Sequence, residues 1–394
     1  MRICHVAYAY FPADPRVRRE VDALRGAGYD VEVICLRGEN EASVETVHGT
    51  RITRIPLRAR RGGRIRYAFQ YALFFILSSV ELLRLHRLRT FQVVHVHSLP
   101  DFQVFCSLPL KMRGVRVILD LHEALPEIVA ARFRPGVGSV LIRLAKAAER
   151  ASVLFADQVI TVNDTIGHLV MKRSRPRRAP VVVMNSPDAL ALRVGDVNAL
   201  KRKLGLDSDP AIVYIGGINP ERDLATLLRA VSSLRDRRPM QVVIAGYGDP
   251  DYVRSLQDMA SALPSAHAVR FLPRIPQDQV LTYLALSSLG VISYQESPLT
   301  EVAIPTKVFE YAAAGKPMAV ARLRALVDLF GDAAEFFQAG DERDLALVIE
   351  RILTDPARAK HLADKARDVL ASCSWEIMQR RLLSTYERLD GIAG

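Results

Sequence analysis

The sequence predicts an α/β chain: two doubly wound domains in series, facing a cleft. Three observations carry this. Short β-branched runs recur along the chain and alternate with stretches of helical spacing. The runs are apolar nearly throughout, as strands buried on both faces of a parallel sheet are. The alternation then restarts near Leu206, after a stretch containing Asn185, Pro187 and Asp188, so the cycle is completed twice. A length of 394 residues suits two domains at roughly 150 residues each.

In the first half, Arg2–Ala9 reads as a strand and Arg16–Ala27 as a helix, with Val17, Val21 and Leu24 on one face and Gly28 as its stop. Further strands are expected at Asp30–Cys35, Val93–Val96, Val115–Leu121 and Gln158–Val162. Pro and Asn from Asn185 to about Asp196 disfavour helix or strand there. In the second half, Pro210–Ile215 reads as a strand ending in Gly216-Gly217, Leu224–Leu234 as a helix, and Met240–Ala245 as a strand ending in Gly246. Val269–Leu272 and Leu289–Ser293 follow as strands, Lys307–Ala314 as a helix closed by Gly315, and Met318–Ala321 as a strand. Both halves are thus Rossmann-like, and open sheets of this kind bind ligands at the carboxyl ends of their strands. Two of them joined by a linker place a ligand in the cleft.

Composition narrows the class. With 49% hydrophobic and 25% charged residues the chain is folded and has ample core. Cys4, Cys35, Cys106 and Cys373 lie far apart, in no metal or disulfide pattern, which fits a reducing cytosol. The net charge of +11 favours anionic partners: phosphorylated substrates, anionic lipid or nucleic acid. A merely basic surface gives the same number. The N-terminus reads as a first strand and not as a secretion signal. No apolar run reaches the ~20 residues expected of a membrane span. The 58–89 stretch stands apart. Arg58, Arg60, Arg61, Arg64 and Arg66 precede the apolar, aromatic run Tyr67–Val80, and Arg84, Arg87 and Arg89 follow. A basic flank beside such a run suits a helix lying in an anionic lipid interface; an ordinary core helix beside a solvated loop is the plainer reading.

Two places suit phosphate. Gly216 and Gly217 end a strand, where glycine lets backbone N–H groups approach an anion, and Arg222 lies a few residues on. The second place is Ile304–Pro317. Pro305-Thr306 starts a helix there, Lys307 adds a charge to its first turn, and Glu310 can accept hydrogen bonds from vicinal ribose hydroxyls. Neither first strand is followed by G-x-G-x-x-G and no Walker A is present, which disfavours dinucleotide oxidoreductases and P-loop NTPases.

Pro305-Thr306-Lys307-x-x-Glu310-Tyr311-x-Ala313-x-Gly315-x-Pro317 resembles the nucleotide-sugar signature of family 4 glycosyltransferases of the GT-B fold. The resemblance extends over nearly the whole chain. It takes in Asp14–Glu20, His95–Asp101, Asp120–Glu127, Ala156–Val162, Asn185–Pro187 and the closing stretch from Ser374 to Tyr386. It implies domains at 1–190 and 196–374, with 375–394 packing back on the first. It also implies retaining transfer of a sugar from a UDP- or GDP-linked donor, with no cofactor and no obligatory metal. Residue by residue, it assigns Glu310 to the ribose, and Lys307 and Arg222 to the diphosphate. His122 goes to the donor sugar near the reacting carbon and Arg274 to the base. Gly216, Gly217, Gly246 and Thr306 join the nucleotide-sugar residues. Asp14 and Arg16 are expected on the opposite lip, toward acceptor or donor phosphate. From the residues alone, His122 reads first as a hydrogen-bonded structural histidine, and its place in a strand-end loop with Asp120 and Glu123 favours a functional one.

The chain departs from the pattern twice. Val302 stands where many members have a second Glu, with Glu301 and Glu296 nearby but out of register, and Gly217 stands where many have Arg. With the basic apolar stretch, the resemblance implies a lipid-linked saccharide acceptor, cell-surface polysaccharide synthesis, and a cytoplasmic protein peripheral on the inner membrane face. A nucleotide-sugar epimerase or hydrolase is the alternative on the same fold. A nucleic-acid-binding protein is the alternative from another class. With 7% aromatic residues and no recognised binding motif, no nucleic-acid partner is expected.

Overall fold

The computed structural model describes residues 1–59, 64–132, 137–185, 194–206, 210–235, 237–265 and 268–391. The chain divides into two compact units, Met1–Asn185 with Glu376–Gly394, and Ser186–Trp375. Most of the expected linker, 186–193, lies outside the described residues.

The first unit is built on an eight-stranded sheet in the order β3-β4-β2-β1-β5-β6-β7-β8. Its strands are β1 (Arg2–Ala7), β2 (Asp30–Leu36), β3 (Val44–Val47), β4 (Thr50–Ile55), β5 (Val93–His97), β6 (Arg116–Leu121), β7 (Gln158–Thr161) and β8 (Val181–Val182). All pair in parallel except β3, which returns against β4 as a hairpin. That hairpin is absent from the sequence reading because its residues, VETV and TRITRI, lack a continuous apolar run. Helix α1 (Pro15–Gly26) is capped by Asp14, whose carboxylate accepts from the Arg16 and Val17 amides, and it buries Val17, Val21 and Leu24.

Helix α2 (Arg64–Leu88) is 25 residues long and extends beyond the apolar run Tyr67–Val80 at both ends. Helical spacing continues through Leu82 and Leu85. Its 66–88 segment is long and apolar enough to cross a membrane by length and composition, so the expectation that no run reaches that length is also corrected. Gln70, Phe74, Ser78, Leu82 and Leu85 nevertheless form one buried face. Gln70 accepts from the Tyr8 hydroxyl at 2.8 Å, and Ser78 accepts from Gln103 at 2.7 Å. The opposite face leaves Phe69, Ile76 and Val80 each more than half exposed, at 65%, 56% and 63%. Helices α3 (Leu108–Lys111), α4 (Leu125–Arg132), α5 (Val137–Phe155) and α6 (Asp164–Ser174) complete the crossovers.

The second unit begins with α7 (Val197–Lys203) and carries two parallel three-stranded stretches. One is β11 (Val269–Leu272), β10 (Gln241–Gly248) and β9 (Ala211–Ile218); the other is β12 (Gly290–Ile292), β13 (Met318–Ala321) and β14 (Glu335–Phe337). Around them lie α8 (Leu224–Leu234), α9 (Pro250–Ala262), α10 (Val280–Ala285), α11 (Thr306–Ala313), α12 (Arg324–Phe330), α13 (Glu342–Thr354) and α14 (Pro356–Ser372). Helix α15 (Trp375–Asp390) then returns to the first unit, where Met378, Leu382, Tyr386 and Leu389 are buried. In the second unit Tyr311 anchors α11. Its hydroxyl donates to the Val213 carbonyl of β9 at 2.7 Å, and its ring fills the space a Cβ on Gly290 would take.

Candidate functional site

In the second unit the predicted glycines lie within strands and not in a loop beyond them. Gly216 on β9 and Gly246 on β10 are register partners, at φ of +150° and +153°. A side chain at 246 would run into the Gly216 carbonyl, and one at 216 into the Lys307 amino group. Glycine is needed at both for close approach. At 216 it leaves room for a cation.

That cation is held by aromatic faces. The Lys307 amino group lies 5.1 Å from the Tyr214 ring centroid. The Tyr214 hydroxyl donates to the Gly217 carbonyl at 2.8 Å, which fixes the ring. Arg222 stacks on Tyr294 with its guanidinium carbon 4.2 Å from the ring centroid. The Arg222 carbonyl accepts from the Ser293 hydroxyl at 2.8 Å, which pins the loop. Neither cation forms an ion pair among the described residues. Arg222 Nε, the Tyr294 hydroxyl and Asn219 Oδ1 are buried with no hydrogen-bond partner among the described residues. Burial, with help from the Arg222 charge and against Glu310, brings the Lys307 ammonium down to about 8. Burial pushes the Glu310 carboxyl up, against Lys307 and a hydrogen bond with Thr306. Thr306 opens α11, whose first turn has no side-chain cap. Two cations outside any ion pair among the described residues, a helix start without a side-chain cap and a carboxylate one turn on make a place for an anion bearing hydroxyls.

The other predicted residues of this unit fall around it. Gly217 is half-buried beside Gly216. Arg274 is exposed, with its guanidinium 5.7 Å from the Tyr247 ring centroid. Val302 is a core residue, 5% exposed. Glu301 is engaged elsewhere, accepting from the Arg324 amide at 3.1 Å, and Glu296 is exposed. Tyr214 and Tyr294, which hold both cations, had no motif to mark them.

The first unit holds a buried polar layer. His95 and His97, two apart on β5, point to one face of the sheet. There His5 of β1 is the register partner of His95, and Asp120 of β6 that of His97. Arg16 and Glu20 reach the layer from α1, and Tyr386 from α15, its hydroxyl 2.6 Å from His95 Nδ1. Arg16 is buried, which corrects its placement on an open lip. It donates to both Asp120 oxygens, at 2.8 and 2.6 Å, and to the Val183 carbonyl and Asn185, each at 2.8 Å. Asp14 serves as the helix cap. His122 alone of the histidines in this layer reaches the surface, its side chain 21% exposed, with Nε2 2.9 Å from Asp120 Oδ2.

Charge in this layer is balanced internally. Burial opposes ionisation of Asp120, but Arg16 and hydrogen bonds from His122 and His97 outweigh it, so its carboxyl lies well below the usual range. Burial raises Glu20, and Asp120 raises it further. Burial lowers His5, His95 and His97. His5, Glu20, His95 and His97 are ligand types within 4.8 Å of one another. A dication beside buried Arg16 would leave the layer positive, whereas one proton on Glu20 closes its charge.

Comparison with known proteins agrees with this division. Residues 13–186 match the family described as Glycosyl transferase 4-like domain, and residues 196–369 match Glycosyl transferases group 1. The D-inositol 3-phosphate glycosyltransferase of Stackebrandtia nassauensis is 30% identical over 204 residues, 49% of this chain and 45% of that protein. That of Rhodococcus jostii is 31% identical over 224 residues, 54% of this chain and 47% of that protein. The matched stretch is thus about half the length of these curated relatives. Among solved structures, sucrose-phosphate synthase from Thermosynechococcus elongatus aligns over 100% of both chains at a TM-score of 0.78 and 16% identity. Anabaena Alr3699/HepE in complex with UDP-glucose aligns over 98% of this chain and 100% of that one, at 0.71 and 14%. At these identities the likeness shows the fold: two Rossmann-like domains.

Proposed function

Because this chain belongs to the family 4 glycosyltransferases of the GT-B fold, we propose that it moves a sugar, with retention of configuration, from a UDP-linked donor to a lipid-linked saccharide. The observation that carries the donor half is the pair Lys307 and Arg222, each held on a tyrosine face and in no ion pair among the described residues, with Lys307 against Gly216. UDP is favoured over GDP by the UDP-glucose complex of a protein of the same fold.

In this reading the anomeric C–O bond breaks toward the nucleoside diphosphate, which leaves with the electron pair. The acceptor hydroxyl then bonds to the anomeric carbon on the face the diphosphate leaves, and its proton passes to the departing phosphate oxygen. Negative charge grows on the diphosphate, and Lys307, Arg222 and the first amides of α11 stabilise it without reorganising. Those cations do the work a metal ion does elsewhere, so the transfer step needs none. Glu310 accepts from the ribose hydroxyls, Gly217, Gly246 and Arg274 border the nucleotide, and His122 serves the donor sugar.

The acceptor half rests on α2. Its buried face belongs to the protein core, so the helix lies on a bilayer and does not cross it. Phe69, Ile76 and Val80 enter the interface, and the exposed Arg66 and Arg87 of the same helix meet anionic headgroups, while Arg60, Arg61 and the Arg64 side chain lie outside what the structure describes. This is a cytoplasmic enzyme on the inner membrane face, acting in cell-surface polysaccharide synthesis.

Thermal shift against UDP, GDP, ADP and their sugar conjugates tests the donor. UDP at 100 times its Kd adds about 2.7 kcal/mol to stability. Glu310→Ala is expected to weaken UDP at least tenfold, as loss of a charged hydrogen-bond partner does. Unchanged affinity would remove the ribose assignment.

A further inference from the structure

The buried layer of the first unit supports one more step, which rests on the reading of His122 as the residue serving the donor sugar. We propose that Asp120 is the positioning residue for His122. It holds the imidazole in the tautomer protonated on Nε2, leaving the Nδ1 lone pair to accept a hydrogen bond from the sugar, and Arg16 keeps Asp120 ionised for the task.

An ionised carboxylate only accepts. Asp120 Oδ1 takes Arg16 Nη2 at 2.6 Å. Its Oδ2 is approached by Arg16 Nε at 2.8 Å, His97 Nδ1 at 3.0 Å and His122 Nε2 at 2.9 Å. Both imidazole nitrogens must therefore carry hydrogen. The 3.1 Å between His97 Nδ1 and His122 Nε2 is then the spacing of two donors converging on one oxygen. With Nε2 protonated, a neutral His122 has a bare lone pair on Nδ1, which has no hydrogen bond among the described residues. The same constraint passes inward: His97 donates from Nδ1, so its Nε2 accepts from His5 Nδ1 at 2.9 Å.

Burial alone would protonate Asp120 and remove the constraint. The bidentate Arg16 pair prevents this. Arg16 in turn is held by Val183, Asn185 and Glu20, the last at 3.2 Å. Backbone position is fixed separately, since the His122 amide donates to the Ser98 hydroxyl at 3.2 Å. The side-chain contact with Asp120 therefore sets ring orientation and tautomer, the role of a partner behind a working imidazole.

The test uses the full chain labelled with 15N-histidine, with His122 assigned by its loss in His122→Asn. Long-range 1H–15N spectra at neutral pH are expected to show the Nε2-protonated tautomer alone. The Nδ1-protonated form, or an exchanging mixture, would overturn the proposal. In Asp120→Asn, kcat is expected to fall about 10–100-fold, with UDP affinity unchanged and the signals of His48, His86 and His168, which lie outside the layer, in place. Wild-type kcat in that variant would overturn the positioning role. If Asp120→Asn does not fold, the wild-type spectrum decides alone. Full activity in His122→Asn would instead sink the reading of His122 on which the role depends, and the tautomer result would still stand.

Discussion

Lys307 shows how one residue links burial to ligand. Its ammonium lies near 8 in the free protein because burial and Arg222 disfavour the charge. A diphosphate placed against it restores the charge, so binding takes up a proton at pH 8 and above. The sign follows: below about 8 the charge is already present, and above it each bound donor must first protonate the amine. UDP affinity is expected to fall as pH rises through 8, approaching tenfold per unit. Calorimetry in buffers of different ionisation heat will show proton uptake on binding, absent in Lys307→Arg. A flat affinity between pH 7 and 9.5 would contradict the assignment of Lys307 to the diphosphate.

At the scale of elements, α2 carries the clearest expectation. Phe69, Ile76 and Val80 are exposed and contribute little to the core, so changing all three to Ser should leave the melting temperature near wild type. Each buried apolar side chain contributes about 1.5–3 kcal/mol, so sedimentation with anionic vesicles should weaken at least tenfold. Equal sedimentation would assign membrane binding to charge alone. Elements were legible where the signal was local. The helix Leu224–Leu234 and the strands Val269–Leu272 and Met318–Ala321 match their apolar runs, end to end. The place of Lys307 and Glu310 in the opening turns of a helix was legible from Pro305-Thr306 before them. What stayed hidden was non-local. Arg16 reads as a surface cation until Asp120, 104 residues away, is found beside it. Gly216 reads as a turn until its strand partner Gly246 is seen at the same φ. The period-two spacing of His95 and His97 was the one available sign of the buried layer.

At the scale of the whole molecule, the first unit is discontinuous in sequence and the second is not. A chain ending at Trp375 keeps every strand of the second unit and loses the Met378, Leu382, Tyr386 and Leu389 face of α15. Calorimetry of that chain is expected to retain a transition raised by UDP and to lose the one belonging to the first unit. Loss of both would mean the second unit cannot fold alone. The same discontinuity orders events on the ribosome. The first unit's sheet is complete by Asn185 but waits for α15 while the whole second unit is made, a delay on the order of 10–40 s at about 5–20 residues per second. Throughout that interval the face of the sheet bearing His95 lacks Tyr386. The last segment translated therefore finishes the first half of the fold, and a chain cut short within α15 is expected to bind UDP through an intact second unit while its first unit stays incomplete.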